Sequence, residues 1–122
     1  MPQPTTFISA TPVLASLDIQ RSVDFFGSKL GFTVLHAEQG VYGIVGQGGV
    51  HVHFWACADR KIAEATSCRL RVTGIAGLYA QCREHGIVHP RAALADTPWG
   101  SQEFAILDPD GNLVTFYEQP QR

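Results

Sequence analysis

Three features are missing from this sequence, and each absence removes a class of function. There is no basic run: nine Lys and Arg stand against eleven Asp and Glu, a net charge of −2. Nucleic acid needs a Lys/Arg-rich face, so it is excluded as a partner. There is no long apolar run either. Stretches such as Val50–Cys57 are broken by His51 and His53 and fall far short of the ~20 residues that span a bilayer, so no membrane partner is expected. Finally, there is no CxxC spacing. Cys57, Cys68 and Cys82 form an odd set, which reads as free thiols in a reducing cytosol. Met1-Pro2-Gln3-Pro4-Thr5-Thr6 also lacks the charged and apolar regions of a signal peptide. A cytoplasmic location is expected.

What is present is a globule. The 122 residues are 45% hydrophobic and 16% charged, a composition and length suited to one folded domain over 1–122. Polar, Pro-bearing tails (Met1–Ser9 and Gln119–Arg122) are expected to fray. Between them, Pro12–Leu17 reads as a strand, and Asp18 caps a helix with Ile19, Val23, Phe26 and Leu30 on one stripe, closed by Gly31. Phe32–His36, Tyr42–Val45 and Val50–Ala56 follow as strands, the last two joined by a Gly46–Gly49 hairpin turn, and Asp59–Thr66 is a polar connector. The grammar then recurs. Ser67–Val72 is a strand, Thr73 is placed to cap a helix with Ile75, Tyr79 and Cys82 that stops at Gly86, and strands are expected near Ile87–Ala92, Gln102–Leu107 and Leu113–Tyr117. The last two are joined by an Asp108-Pro109-Asp110-Gly111 turn.

The recurrence survives counting. Ile19, Val23 and Phe26 return as Ile75, Tyr79 and Cys82, 56 residues later. Gly49-Val50-His51-Val52-His53-Phe54-Trp55 returns as Gly111-Asn112-Leu113-Val114-Thr115-Phe116-Tyr117, 62 residues later. A period of that length suits a βαβββ unit rather than a solenoid repeat. The fold class is therefore α+β, with module one at about 11–57 and module two at about 67–118.

Strand alternation sorts the side chains into two faces. Val52, Phe54, Val114 and Phe116 belong under the helices with Cys68, Leu70 and Val72. The opposite face collects His51, His53 and Trp55, then Arg69 and Arg71 with Ser67, then Thr115 and Tyr117 with Leu113. A curved sheet face that mixes aromatics, imidazoles and guanidiniums is a pocket candidate.

Several segments resemble the vicinal-oxygen-chelate superfamily: Asp18-Ile19-Gln20-Arg21-Ser22-Val23-Asp24-Phe25-Phe26, Lys29-Leu30-Gly31-Phe32, Pro98-Trp99-Gly100, and Glu103-Phe104 leading to Asp108-Pro109-Asp110-Gly111-Asn112. That group includes glyoxalase I, extradiol dioxygenases, fosfomycin-resistance enzymes and bleomycin-resistance proteins. The resemblance runs from about Thr11 to Glu118. It implies two βαβββ modules curled into half-open barrels, and a homodimer with two symmetric pockets. Metal-dependent members carry His, Gln or Glu at positions that fall here on Thr11, His53, Ser67 and Thr115. Only His53 is a usual divalent-metal ligand, while a catalytic site generally needs about three. His51 adds one more imidazole, which still leaves no carboxylate.

The resemblance is accordingly to the metal-free bleomycin-resistance branch, which binds a drug rather than transforming it. No cofactor, no metal and no catalytic residue is expected. The candidate ligand-binding residues are Tyr42, Trp55, Trp99 and Tyr117 for stacking, with His51, His53 and Thr115 beside them. Arg69 and Arg71 favour an anionic ligand unless Glu103 or a dimer partner neutralises them. The alternative is a metal-dependent lyase, isomerase or dioxygenase of the same fold. A His53–Glu103 acid–base pair would serve a metal-free enzyme. His36, His85 and His89 read as solvated, and no Ser–His–Asp order or phosphate loop is recognisable.

Overall fold

The computed structural model describes residues 1–120. Residues 1–12 lie outside regular secondary structure, as do Gln119 and Pro120; Gln121 and Arg122 lie outside the described residues. The short strand β1 (Val13–Ser16) leads into α1 (Ile19–Leu30). The extended backbone at Asp18 turns its carboxylate onto the Arg21 amide at 3.1 Å, satisfying one of the free N–H groups of the first turn. Gly31, at φ +75°, ends the helix in the left-handed conformation that a Cβ would oppose. Three antiparallel strands follow, β2 (Thr33–Glu38), β3 (Tyr42–Gln47) and β4 (Val50–Ala56), and β1 lies parallel to β4. The first sheet is ordered β1-β4-β3-β2.

The connector holds a short helix, α2 (Arg60–Glu64), which polar composition alone does not announce; Asp59 caps it through the Lys61 amide at 3.0 Å. Next come β5 (Ser67–Arg71), α3 (Ile75–Glu84), β6 (Ala95–Asp96), β7 (Gln102–Leu107) and β8 (Leu113–Glu118). The second sheet is ordered β5-β8-β7-β6, the same order as the first, with β5 parallel to β8. The architecture is α+β, two four-stranded mixed sheets that remain open.

Two expectations are corrected here. Thr73 does not cap α3. Gly74 occupies that position at φ +72° without a side-chain cap, and the Ile75 amide is satisfied instead by the Glu118 carboxylate at 2.9 Å. The stretch Ile87–Ala92 is not a strand but meets β7 through one bridge, Val88 to Ile106, and one further backbone bond at Ala92. The chain turns off the ladder after His89: Pro90 fixes its own φ, and the Ala92 amide folds back onto the His89 carbonyl at 3.0 Å.

The predicted inward residues form one core. Phe26 packs edge-on against Phe54 at 5.2 Å and Phe32 at 5.4 Å, while Val23, Val45 and Val52 are fully buried around them. Leu70, Cys82, Phe104, Val114 and Phe116 continue the same cluster under the second sheet. Each fully buried Phe contributes about 1.5–3 kcal/mol by leaving water.

Polar contacts also join the halves. Asp110, fully buried, accepts from the Arg21 guanidinium, the Leu17 amide at 3.2 Å and the Ser22 hydroxyl at 3.3 Å. Asn112 donates to the Ala15 carbonyl at 2.8 Å and to Asp108 at 2.7 Å. The turn that separates β7 from β8 is thereby a latch onto the α1 end of the first sheet.

Candidate ligand-binding site

The side chains that alternation assigns away from the helices do lie on the open faces of the sheets. On the second sheet, Arg69, Thr115 and Ala105 are neighbours across β5, β8 and β7, and Tyr117 sits opposite Glu103. In antiparallel pairs directly opposed residues share a face. Arg69 makes a two-pronged ion pair with Glu103, at 3.1 and 2.7 Å, and its guanidinium lies over the Tyr117 ring at 4.7 Å. One oxygen of Glu103 also accepts from the Trp99 indole at 3.2 Å and the Ser101 hydroxyl at 3.1 Å.

Electrostatics follow from that geometry. Hydrogen bonding to Arg69 holds the Glu103 carboxyl below its usual range, with Ser101 and Trp99 assisting against partial desolvation. The same contact raises Arg69. The pair is internally neutral, so it presents donors and a flat guanidinium plane rather than a free charge. Arg69, Trp99, Ser101 and Tyr117 border a cavity of about 430 Å³.

Trp99 is placed by its loop. Thr97 and Ser101 bond to each other through the Thr97 amide and Ser101 carbonyl at 2.8 Å and between their hydroxyls at 2.9 Å. Gly100 makes the tight return at φ +91°. The indole is left 70% exposed.

A second group occupies the first sheet. The Tyr42 hydroxyl meets His53 Nδ1 at 2.9 Å with the rings edge-to-face, and His51 stacks beside His53 at 6.5 Å. Trp55 is the register partner of Tyr42 and is 38% exposed. The structure thus brings Arg69, Trp99, Glu103 and Tyr117 together, and separately Tyr42, His51, His53 and Trp55. Hydrogen bonds and ring contacts run within each group. Arg71 lies one alternation beyond Arg69, beside Tyr117, and borders a different cavity between α1 and β5. His53 and Glu103 each have other partners, so the geometry does not couple them as an acid–base pair.

Sequence reading misses Thr97, Ser101 and His89. His89, expected in solvent, is half-buried and lines a cavity of about 320 Å³ with Thr115 and Glu103, whereas His36 and His85 are exposed. The Thr–x–x–x–Ser spacing around Pro98-Trp99-Gly100 is the one signal that points to the closed loop.

The family metal positions do not make a donor set. Among the described residues no three His, Cys, Asp or Glu side chains cluster around a common point. Thr11, Ser67 and Thr115 offer only hydroxyls, and His53 already engages Tyr42 through Nδ1. The residues present do not fit a catalytic divalent ion.

Comparison with known proteins agrees with the architecture. The family model described as Glyoxalase/Bleomycin resistance protein/Dioxygenase superfamily matches residues 10–116. A bleomycin resistance protein of Geobacillus stearothermophilus is 34% identical over an alignment covering 92% of this chain and 97% of that protein. A bleomycin resistance determinant encoded on the transposon Tn5 superposes with a TM-score of 0.81 at 28% identity, covering 94% of this chain and all of its own. The bleomycin-binding protein of Streptomyces verticillus, solved with copper(II)-bleomycin, superposes with a TM-score of 0.83 at 25% identity, covering 97% and 100%.

Proposed function

Because the chain belongs to the glyoxalase/bleomycin resistance protein/dioxygenase superfamily, we propose that it is a cytoplasmic homodimer that sequesters a flat antibiotic of the bleomycin type without chemically altering it. The observation that carries this reading is the Arg69–Glu103 ion pair. Two arginines on one face would repel a cationic drug. Pairing Arg69 with Glu103 neutralises the arginine at this cavity, Arg71 borders a different one, and Tyr117, the guanidinium plane and Trp99 are left as stacking surfaces.

Dimerisation is supported by the division of the candidate residues between two sheets. A second copy would set the Tyr42, His51, His53 and Trp55 face of one protomer across from the Arg69, Trp99, Thr115 and Tyr117 face of its partner. Exposed apolar side chains also favour it: Phe7 and Ile8 are 95% and 85% exposed, and Leu35 is 53% exposed. The cytoplasmic assignment is supported by Cys57, Cys68 and Cys82 all being free thiols, the state a reducing compartment maintains. The chain acts as a single domain, both modules sharing one core.

Calorimetric titration with bleomycin tests the reading. Saturable binding is expected, with Trp99→Ala and Tyr117→Ala each weakening it on the order of tenfold or more. Absence of saturable binding, or affinities untouched by both substitutions, would refute it.

A further inference from the structure

We propose that the site has a second compartment, centred on His89, that selects a compact, flat ligand group carrying a hydrogen-bond acceptor. This rests on the binding function proposed above and gives the part of the ligand that stacking alone does not specify.

The compartment is the 320 Å³ cavity beneath the segment from His89 to Thr97. Its walls are fixed by backbone bonds. The His89 amide donates to the Ala105 carbonyl at 2.8 Å, and the Ala105 amide donates to the Ala92 carbonyl at 3.1 Å. Ala95 pairs with Glu103 across β6 and β7, which puts the Ala95 methyl on the same side as that carboxylate. Ala105 pairs with Thr115 in the same way. The space exists because these positions carry methyl groups where larger side chains would fill it. Glu103 borders this cavity, and its partners Arg69, Trp99 and Ser101 border the first one, so the two compartments adjoin across a single carboxylate.

Arg91, Thr97, Glu103 and Thr115 border the compartment as well, and His89 contributes its imidazole. The Arg91 amide donates to His89 Nδ1 at 3.0 Å, so the proton of the neutral ring sits on Nε2. Nε2 makes no hydrogen bond among the described residues, although His89 is half-buried. Nε2 is open to solvent and is therefore free to exchange water for a ligand acceptor such as a carbonyl oxygen or ring nitrogen. The Glu103 carboxylate is saturated by Arg69, Ser101 and Trp99 and does not compete for that role. Alanine walls admit a flat five- or six-membered ring or a planar amide and exclude a branched group.

The test uses bleomycin and nicotinamide as probes against the wild type, His89→Ala, His89→Gln and Ala95→Leu. Ala95 is exposed, so its replacement leaves the core unaltered. Bleomycin affinity should fall about tenfold in His89→Ala and in Ala95→Leu, with His89→Gln restoring part of the loss through its own N–H. In heteronuclear NMR, nicotinamide should shift the amides of His89, Ala95 and Thr115 in the wild type and not in Ala95→Leu. If bleomycin binds all four proteins equally, the second compartment is refuted and the stacking site stands. If bleomycin binds none of them, the function proposed above fails, and the nicotinamide shifts alone decide: present and lost in Ala95→Leu they uphold the compartment, absent they overturn it.

Discussion

Replacing Asp110 with alanine tests how the two halves of the molecule are held. The Asp110 side chain is fully buried, and its oxygens accept from Arg21, the Leu17 amide and the Ser22 hydroxyl. Breaking a buried ion pair typically costs about 3–5 kcal/mol. Two features reduce that here. Arg21 is 47% exposed and regains water once released, and Ser22 keeps its 2.6 Å contact with Ser16. The expected loss is therefore about 2–3 kcal/mol, a large part of a typical domain stability. Asp110→Asn retains an acceptor and should lose less. Urea denaturation gives both values, and a double-mutant cycle with Arg21→Ala isolates the pair, with a coupling of roughly 1 kcal/mol or more. A loss under about 0.5 kcal/mol in Asp110→Ala would refute the latch.

Three further outcomes follow from the same geometry. Gly43→Ala should destabilise by about 1–3 kcal/mol, because the new methyl would lie 2.9 Å from Val23 and 3.1 Å from Ile19 in a filled core; a thermal melt equal to wild type would contradict this. Glu103 is held below its ordinary 4.5, so its contribution is complete above that value and lost only as pH falls through the lower folded-state value. Trp99 fluorescence followed in acid, with Trp55→Phe as background, should show that transition in the parent and not in Glu103→Gln. Sedimentation should give a dimer at micromolar concentration, and a monomer would remove the assembly proposed for the site.

Local pattern carries much of the fold in this chain, and long-range pairing carries the remainder. Alternation marks Val50–Ala56 at the bounds it adopts, since it packs one face on the helices, and the strand expected near Gln102–Leu107 forms there. Asp18 and Gly31 mark α1 because capping is a property of neighbouring residues. The start of α3 escapes such reading. Its amide is satisfied by Glu118, 43 residues away, and no local signal identifies that partner. Asp110 reads as a turn residue and is one, but its bonds to Arg21 and Ser22 span 89 and 88 residues. Within the candidate site, parity locates Arg69, Thr115 and Tyr117 on their face. His89 escapes because it enters the cavity from an irregular segment with no period to read.

The loop that carries Trp99 is closed by Thr97 and Ser101 bonding to one another, with the turn completed at Gly100. Its internal ladder is therefore self-contained, tied to the sheet mainly through Glu103. Insertions or exchanges between Thr97 and Ser101 can re-aim the indole while the helices and the buried phenylalanines keep their packing. On the binding role proposed for Trp99, descendants of this gene could change which ligand they hold by small steps at one hairpin tip, with little risk to folding. On the same proposal, selection by a new antibiotic would register in those three intervening residues before it touched the core.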